Sequence, residues 1–321
     1  MCIALISTAH PSYSLVIIDN RDEYLHRPTS PANWWPEPNS NILGGRDLAR
    51  ATQGTWMGVT KEGKVAVLTN YREDTSEKAT GTQSRGAIVN GWLTVAPEPR
   101  QSTRNFAQSM VASATARNVG GFSLLCGYVN EPLAVISNRS SNMDQVTWLA
   151  SQKGQTVGLS NTHFDDRSWP KIIDGEKLMD EAIQAHVGAG EDEDGLIDRL
   201  LRLLSTNTLP EVSEDATAED YLPHFRKSIF IPLLGAKDEP ARSAEGVAAA
   251  CVEKAKTRTK QGDELDQSYL HGAYGTQKQT IILVSNNGRV RYYERTLYDN
   301  EVNAIPLGEG DRSYEFQVTQ S

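Results

Sequence analysis

Apolar residues, many of them β-branched, run over positions 2–8 and 13–19, with the turn formers His10, Pro11 and Ser12 between them, which predicts an opening β-hairpin. A second hairpin pattern spans 55–60 and 64–70 around Lys61, Glu62 and Gly63. Further short apolar runs predict strands over 122–129, 133–138 and 156–160. Asn286, Asn287 and Gly288 join strands over 280–285 and 290–296, and 314–319 alternates strictly. Helical spacing appears over 85–94, 103–116 and 196–204, and Pro170 behind Trp169 opens another helix ahead of the acidic stretch 191–194. Positions 24–50 read as loop.

Strands at the start, middle and end of the chain, separated by helix pairs, predict an α+β fold. The expected arrangement is a four-layer α/β/β/α sandwich of antiparallel sheets, built as a single domain over 1–321. Positions 253–270, rich in Lys, Thr, Gln and Asp without periodicity, read as a polar surface insertion.

Composition narrows the function classes. A 38% hydrophobic and 23% charged chain supports a sizeable core with a wet surface. The net charge of −9 has the wrong sign for displacing counterions from a phosphate backbone, so nucleic acid is not expected as a partner. No run approaches the roughly 20 apolar residues of a membrane span, and the start lacks a basic segment followed by an apolar one, so a cytoplasmic protein is expected. Cys2, Cys126 and Cys251 are too few and scattered for a disulfide framework. His10, His26, His163 and His271 have no ligand spacing, so neither a metal site nor covalently held haem is predicted. Gly44, Gly45, Arg46 and Asp47 read as a plain glycine turn without the helix that a phosphate cradle needs.

In a hairpin turning at 10–12, facing residues have numbers summing to about 22 or 23, which sets Cys2 across from Asn20 and Arg21. The polar run Asn20, Arg21, Asp22, Glu23 then falls where the second strand is expected to leave the sheet. Trimming of the initiator methionine would give a Cys2 carrying both a thiol and an α-amine of pKa about 7.7–8.0, a nucleophile with its own base. Arg21 is expected to lower the thiol pKa, and Asp22 or Glu23 to hold the ammonium or the arginine. A bland alternative stands beside this one: Cys2 as a small buried strand residue, with Arg21 and Asp22 as an ion-paired strand end. Trp34, Trp35 and Trp56 either line an apolar acyl or porphyrin pocket or pack the core.

These residues belong to a longer series. Cys2, the run Asn20 to Glu23, Arg27 and Pro28, then Gly54 to Gly58, Leu68 to Tyr71, and Ser84 to Gly86 follow one another in an order that resembles the NRDE family, the Transport and Golgi organisation 2 proteins. Gly158 to Asn161, Trp169 to Lys171, and Tyr274 to Thr276 with Thr280 carry the resemblance over nearly the whole chain. It implies an N-terminal-nucleophile hydrolase-like fold, akin to penicillin and bile-salt acylases. It also implies links to Golgi organisation, secretion, and lipid, acyl-coenzyme A or haem homeostasis, with association to Golgi or mitochondrion. In the acylase relatives two asparagines support the oxyanion and substrate, and Asn70 and Asn161 match them here.

The candidate catalytic set is therefore Cys2, Arg21, Asp22, Asn70 and Asn161, with Asn20, Glu23, Trp56 and Lys278 for substrate binding. Two departures stand out. The acylases carry Arg-Asn-x-Asp where this chain has Asn20 to Glu23, so individual roles do not map one to one. Family members usually place an arginine after Gly-Thr, where this chain offers Lys278, and a lysine cannot reproduce a bidentate fork. Two functions follow: a Cys2-dependent amide or thioester hydrolase that requires no cofactor, or a non-catalytic protein that carries haem or acyl-coenzyme A as cargo. Either way the ligand is a small molecule.

Overall fold

The opening hairpin forms as predicted. β1 (Ile3–Ser7) pairs antiparallel with β2 (Tyr13–Tyr24) in the register Ile3 to Asn20, so paired numbers sum to 23. The structure is a computed structural model that describes residues 2–71, 84–96, 100–113, 119–211, 218–235, 269 and 272–319. The insertion expected near 253–270 lies almost wholly outside the described residues, as do Cys251 and His271.

Two antiparallel sheets are stacked. The first holds six strands in the order β10-β1-β2-β11-β12-β13, where β10 is Thr156–Ser160, β11 Tyr274–Ser285, β12 Arg289–Thr296 and β13 Asp311–Gln317. The second holds seven strands in sequence order: β3 (Thr29–Trp34), β4 (Ile42–Asp47), β5 (Met57–Thr60), β6 (Lys64–Asn70), β7 (Phe122–Tyr128), β8 (Leu133–Ser137) and β9 (Thr147–Leu149). Their facing sides share one apolar core that includes Ile6, Ile17 and Ile282 from the first sheet and Val59, Val67 and Leu125 from the second.

Helices close the outer faces. Against the six-stranded sheet lie α3 (Pro170–Ala189) and α4 (Glu193–Leu204), whose Met179, Ile183, Leu196 and Leu200 meet Ile3, Leu5, Val16 and Ile18. Against the other sheet lie α1 (Gly86–Leu93) and α2 (Thr103–Ala112), through Val89, Trp92 and Phe106. The result is the predicted α/β/β/α order. Local chemistry sets the helix ends: Pro170 stands in the first turn of α3 and Gly190 ends it at φ 64°, while the Asp192 side chain caps α4 by accepting from the Gly195 amide at 2.9 Å. Among the described residues no helix is long and apolar enough to cross a membrane.

Two expectations are corrected. Positions 24–50 hold β3 and β4, not a loop. Pro31 sits on an edge strand at a register shift between Ser30 and Asn33, where a missing N–H is tolerated. Gly44 and Gly45 are strand residues because a Cβ on Gly44 would come 2.6 Å from the Met57 carbonyl, and one on Gly45 2.7 Å from the Trp56 ring. The second correction concerns β2, which does not leave the sheet at Asn20 but continues to Tyr24, paired along β11 from Asn20 opposite Gln279 to Tyr24 opposite Tyr274.

Candidate active site

Continuing the β1–β2 register by one pair puts Cys2 across from Arg21. Cys2 is 8% exposed, and its sulfur points a weak donor at the Asp22 carbonyl, 3.8 Å away. Its own carbonyl accepts from Ser160 Oγ at 2.7 Å and from Lys171 Nζ at 3.4 Å, so β10 and the first turn of α3 fix the residue from the helix side.

The alternation of β2 sorts the polar run. Leu15 and Ile17 face the core between the sheets and Val16 and Ile18 the helices, so Arg21 points inward while Asn20 points outward. Arg21 donates through Nη1 to Gln277 Oε1 at 2.5 Å and lies over the Trp56 ring at 4.8 Å. A register shift between Thr276 and Lys278 in β11 brings Gln277 to this position. Asp22 accepts from Thr276 Oγ1 at 2.7 Å. Glu23 takes the Tyr24 amide at 3.0 Å, and Arg27 grips Asp47 through Nε at 2.8 Å and Nη2 at 2.6 Å.

These groups surround one cavity of about 130 Å³. Cys2, Arg21, Asp22, Glu23, Trp56 and Asn70 all line it, together with Arg27, Asp47, Arg50, Ser84 and Arg85. Asn161 stands behind: its Nδ2 donates to the Asn70 carbonyl at 2.5 Å, so it holds the end of β6 in place.

Two of the candidate substrate-binding residues lie elsewhere. Asn20 is fully buried on the helix side, where its Nδ2 donates to the carbonyls of Leu204 at 2.7 Å and Ile229 at 2.9 Å. Lys278 is buried in an ion pair with Glu294 at 3.0 Å and donates to Thr296 Oγ1 at the same distance. Of the tryptophans, Trp34 and Trp35 do not line the Cys2 cavity, whereas Trp56 does.

The electrostatics differ from expectation at one point. Burial pushes the Cys2 thiol up to about 11, and the carboxyl groups of Asp19 and Asp22 act in the same direction. Arg21 is engaged with Gln277 and Trp56, and does not offset the loss of solvation. Burial also raises the carboxyl pKa of Asp19 and Asp22 and lowers the ammonium pKa of Lys171. Among the described residues no group of three or more His, Cys, Asp or Glu side chains could hold a metal ion.

Arg50, Arg85, Asp47 and Lys171 had no role assigned from the sequence. Arg85 and Lys171 belong to motifs that resemblance singled out, and that was their signal. Asp47 entered only as part of a plain glycine turn and Arg50 not at all, because both lie within the segment read as loop.

A cysteine at the head of a central strand thus lines a cavity inside an α/β/β/α sandwich of two antiparallel sheets. The family model described as Transport and Golgi organisation 2 matches residues 1–299, and the chain belongs to that family. It is 26% identical over 310 residues to the mouse Transport and Golgi organization 2 homolog, covering 96% of this chain and 94% of that one. An uncharacterised protein of Saccharomyces cerevisiae is 26% identical over 318 residues, covering 94% of this chain and 93% of its own. Among solved structures, a mutant of the conjugated bile acid hydrolase from Clostridium perfringens is similar, with a TM-score of 0.37 at 12% identity and coverage of 100% of this chain and 98% of that one. Penicillin V acylase from Agrobacterium tumefaciens gives 0.35 at 9% identity with full coverage of both chains.

Proposed function

We propose that this chain is a cysteine hydrolase of the amino-terminal type, acting on a small amide or thioester, with Cys2 as nucleophile. The observation that carries the reading is the convergence of Cys2, Arg21, Asp22 and Asn70 on one cavity. A thiol pushed up to about 11 needs a base beside it, and the α-amine that removal of Met1 would free on the same residue is that base. The amine takes the thiol proton and the sulfur attacks the carbonyl carbon. The C–N or C–S bond then breaks, and the proton goes to the departing amine or thiolate. Water cleaves the acyl-thioester and restores the thiol.

Arg21 and Asp22 orient the amino-terminal residue, Asn70 faces the developing oxyanion, and Asn161 keeps Asn70 in position. Asn20 and Lys278 support this site from neighbouring buried networks and do not touch substrate. The reaction requires no cofactor.

Purified protein with its native amino terminus, checked by intact mass, is assayed on a panel of short amides and acyl-thioesters beside Cys2→Ala. Turnover by the trimmed protein alone supports the reading. Turnover that survives Cys2→Ala sinks it.

The raised thiol pKa favours a second reading, a non-catalytic carrier of acyl-coenzyme A or haem on the same fold, working at the Golgi or mitochondrion. A ligand retained through purification and identified by mass spectrometry, with no turnover in the panel, would establish it.

A further inference from the structure

Asp47 is spent on Arg27, and Glu23 accepts from the Tyr24 amide and stands 3.9 Å from the Arg27 guanidinium. Arg21 is satisfied by Gln277 and the Trp56 face. Arg85 pairs with no carboxylate among the described residues: its Nη1 donates to the neutral carbonyl of Gly121 at 3.3 Å. Withdrawal from water brings its pKa down to about 10, with Arg27 and Arg50 acting in the same direction and the nearby Glu23 against it. Arg85 and Arg50 line the same cavity as the Cys2 thiol.

Ser84, Arg85 and Gly86 line the cavity at the start of α1.

We infer that Arg85, with Arg50 beside it, forms an anion subsite, and that the substrate carries a carboxylate or phosphate within a few bonds of the carbonyl that Cys2 attacks. The inference rests on the hydrolase reading for the word substrate, and on the guanidinium arrangement alone for the anion. Proximity follows from the lining: Cys2, Arg50 and Arg85 border one cavity, so thiol and subsite face the same bound molecule. A planar guanidinium suits either oxyanion as a two-point donor.

The test separates binding from turnover. Cys2→Ala protein is titrated calorimetrically with N-butanoylglycine, with N-butanoyl-O-phosphoethanolamine, and with the neutral N-butanoylglycinamide. At least one anionic ligand is expected to bind about 10–100-fold more tightly than the neutral one, the range of a charge-assisted contact. The stronger of the two anions names the source. Adding Arg85→Gln should bring the ligands to parity, and Arg85→Lys should restore part of the preference. Equal binding of anionic and neutral ligands, no binding of either anion, or a preference that Arg85→Gln leaves intact would overturn the subsite. If the glutamine variant fails to fold by circular dichroism, the comparison among ligands on Cys2→Ala protein decides. Wild-type turnover of the same compounds is measured separately. Charge preference without turnover sinks only the hydrolase reading, and turnover without charge preference sinks only the subsite.

Discussion

Gly54 and Gly86 pack main chain against main chain: a Cβ on Gly54 would lie 2.7 Å from the Gly86 Cα, and one on Gly86 would lie 2.9 Å from the Gly54 Cα. This contact draws the start of α1 onto the segment before β5 and sets Ser84 and Arg85 at the Cys2 cavity. Neither glycine is there for a left-handed backbone. Each is there because no side chain fits between the two segments.

Gly86→Ala should therefore destabilise the protein by about 1–3 kcal/mol through overpacking and lower any Cys2-dependent turnover, because α1 must move outward. Gly91 provides the control, since it lies in the same helix with nothing within 4 Å of its added Cβ. Gly91→Ala should stabilise by about 0.5–1 kcal/mol. Urea unfolding of both variants checks the pair, and equal stability of the two would refute the close-contact account.

A thiol at about 11 in an accessible cavity has a kinetic signature. Iodoacetamide reacts with thiolate, so before any trimming of Met1 the Cys2 adduct should form slowly at pH 7. Its rate should rise about tenfold per pH unit towards pH 11. Cys126 is fully buried and its thiol is raised further still, so it should stay unmodified in the folded protein. Peptide mass mapping over a pH series reads both. Fast, pH-flat alkylation of Cys2 would mean that a partner lowers its pKa after all.

Much of this was legible in the sequence, for reasons that can be named. Apolar runs broken by His10 to Ser12 and by Asn286 to Gly288 are period-two strands around turn formers, and they fix hairpin register to within a residue. Cys2 and Arg21 could be brought together on that basis alone. The segment 24–50 was not legible, because Pro31, Gly44 and Gly45 look like loop residues unless one knows that Trp56 and Met57 lie across them. Nor could the sequence say which way Asn20 and Lys278 point. For Lys278 that depends on the register of β11, whose shift beside Gln277 leaves no mark in the pattern, and for Asn20 on which face of β2 the helices cover. The thiol pKa was misread for a related reason: proximity of Arg21 was visible, but burial was not.

Lys278 and Glu294 form a buried pair with side chains 1% and 0% exposed, and Glu294 Oε1 also accepts from the Ala32 amide at 2.8 Å. Lys278→Met should cost about 3–5 kcal/mol, because it strands a buried carboxylate. The double variant Lys278→Met, Glu294→Gln should recover much of that loss, since no net charge then remains inside. Guanidinium unfolding of the two single variants and the double gives the coupling. A Lys278→Met protein as stable as wild type, but with raised KM, would instead return Lys278 to the substrate.

His10 and His186 make a second buried device with a definite proton order. The Ser12 amide donates to His10 Nδ1 at 3.0 Å, so His10 Nε2 carries the proton and donates to His186 Nδ1, also at 3.0 Å. His186 Nε2 in turn donates to the Asp192 carbonyl at 2.9 Å. Burial, aided by the neighbouring His186, brings the His10 pKa down from 6.5 to about 4. Between those values the unfolded chain binds more protons than the folded one, so this contribution to stability is complete above about pH 6.5 and is lost as pH falls towards about 4. The raised carboxyl groups of Asp19 and Asp22 act with the opposite sign, so the wild-type curve alone cannot isolate the histidines. Urea midpoints of wild type and His10→Gln, measured from pH 7.5 to 4.5, should converge on acidification, because the glutamine has no proton to gain. Parallel curves would show that His10 does not titrate in this range.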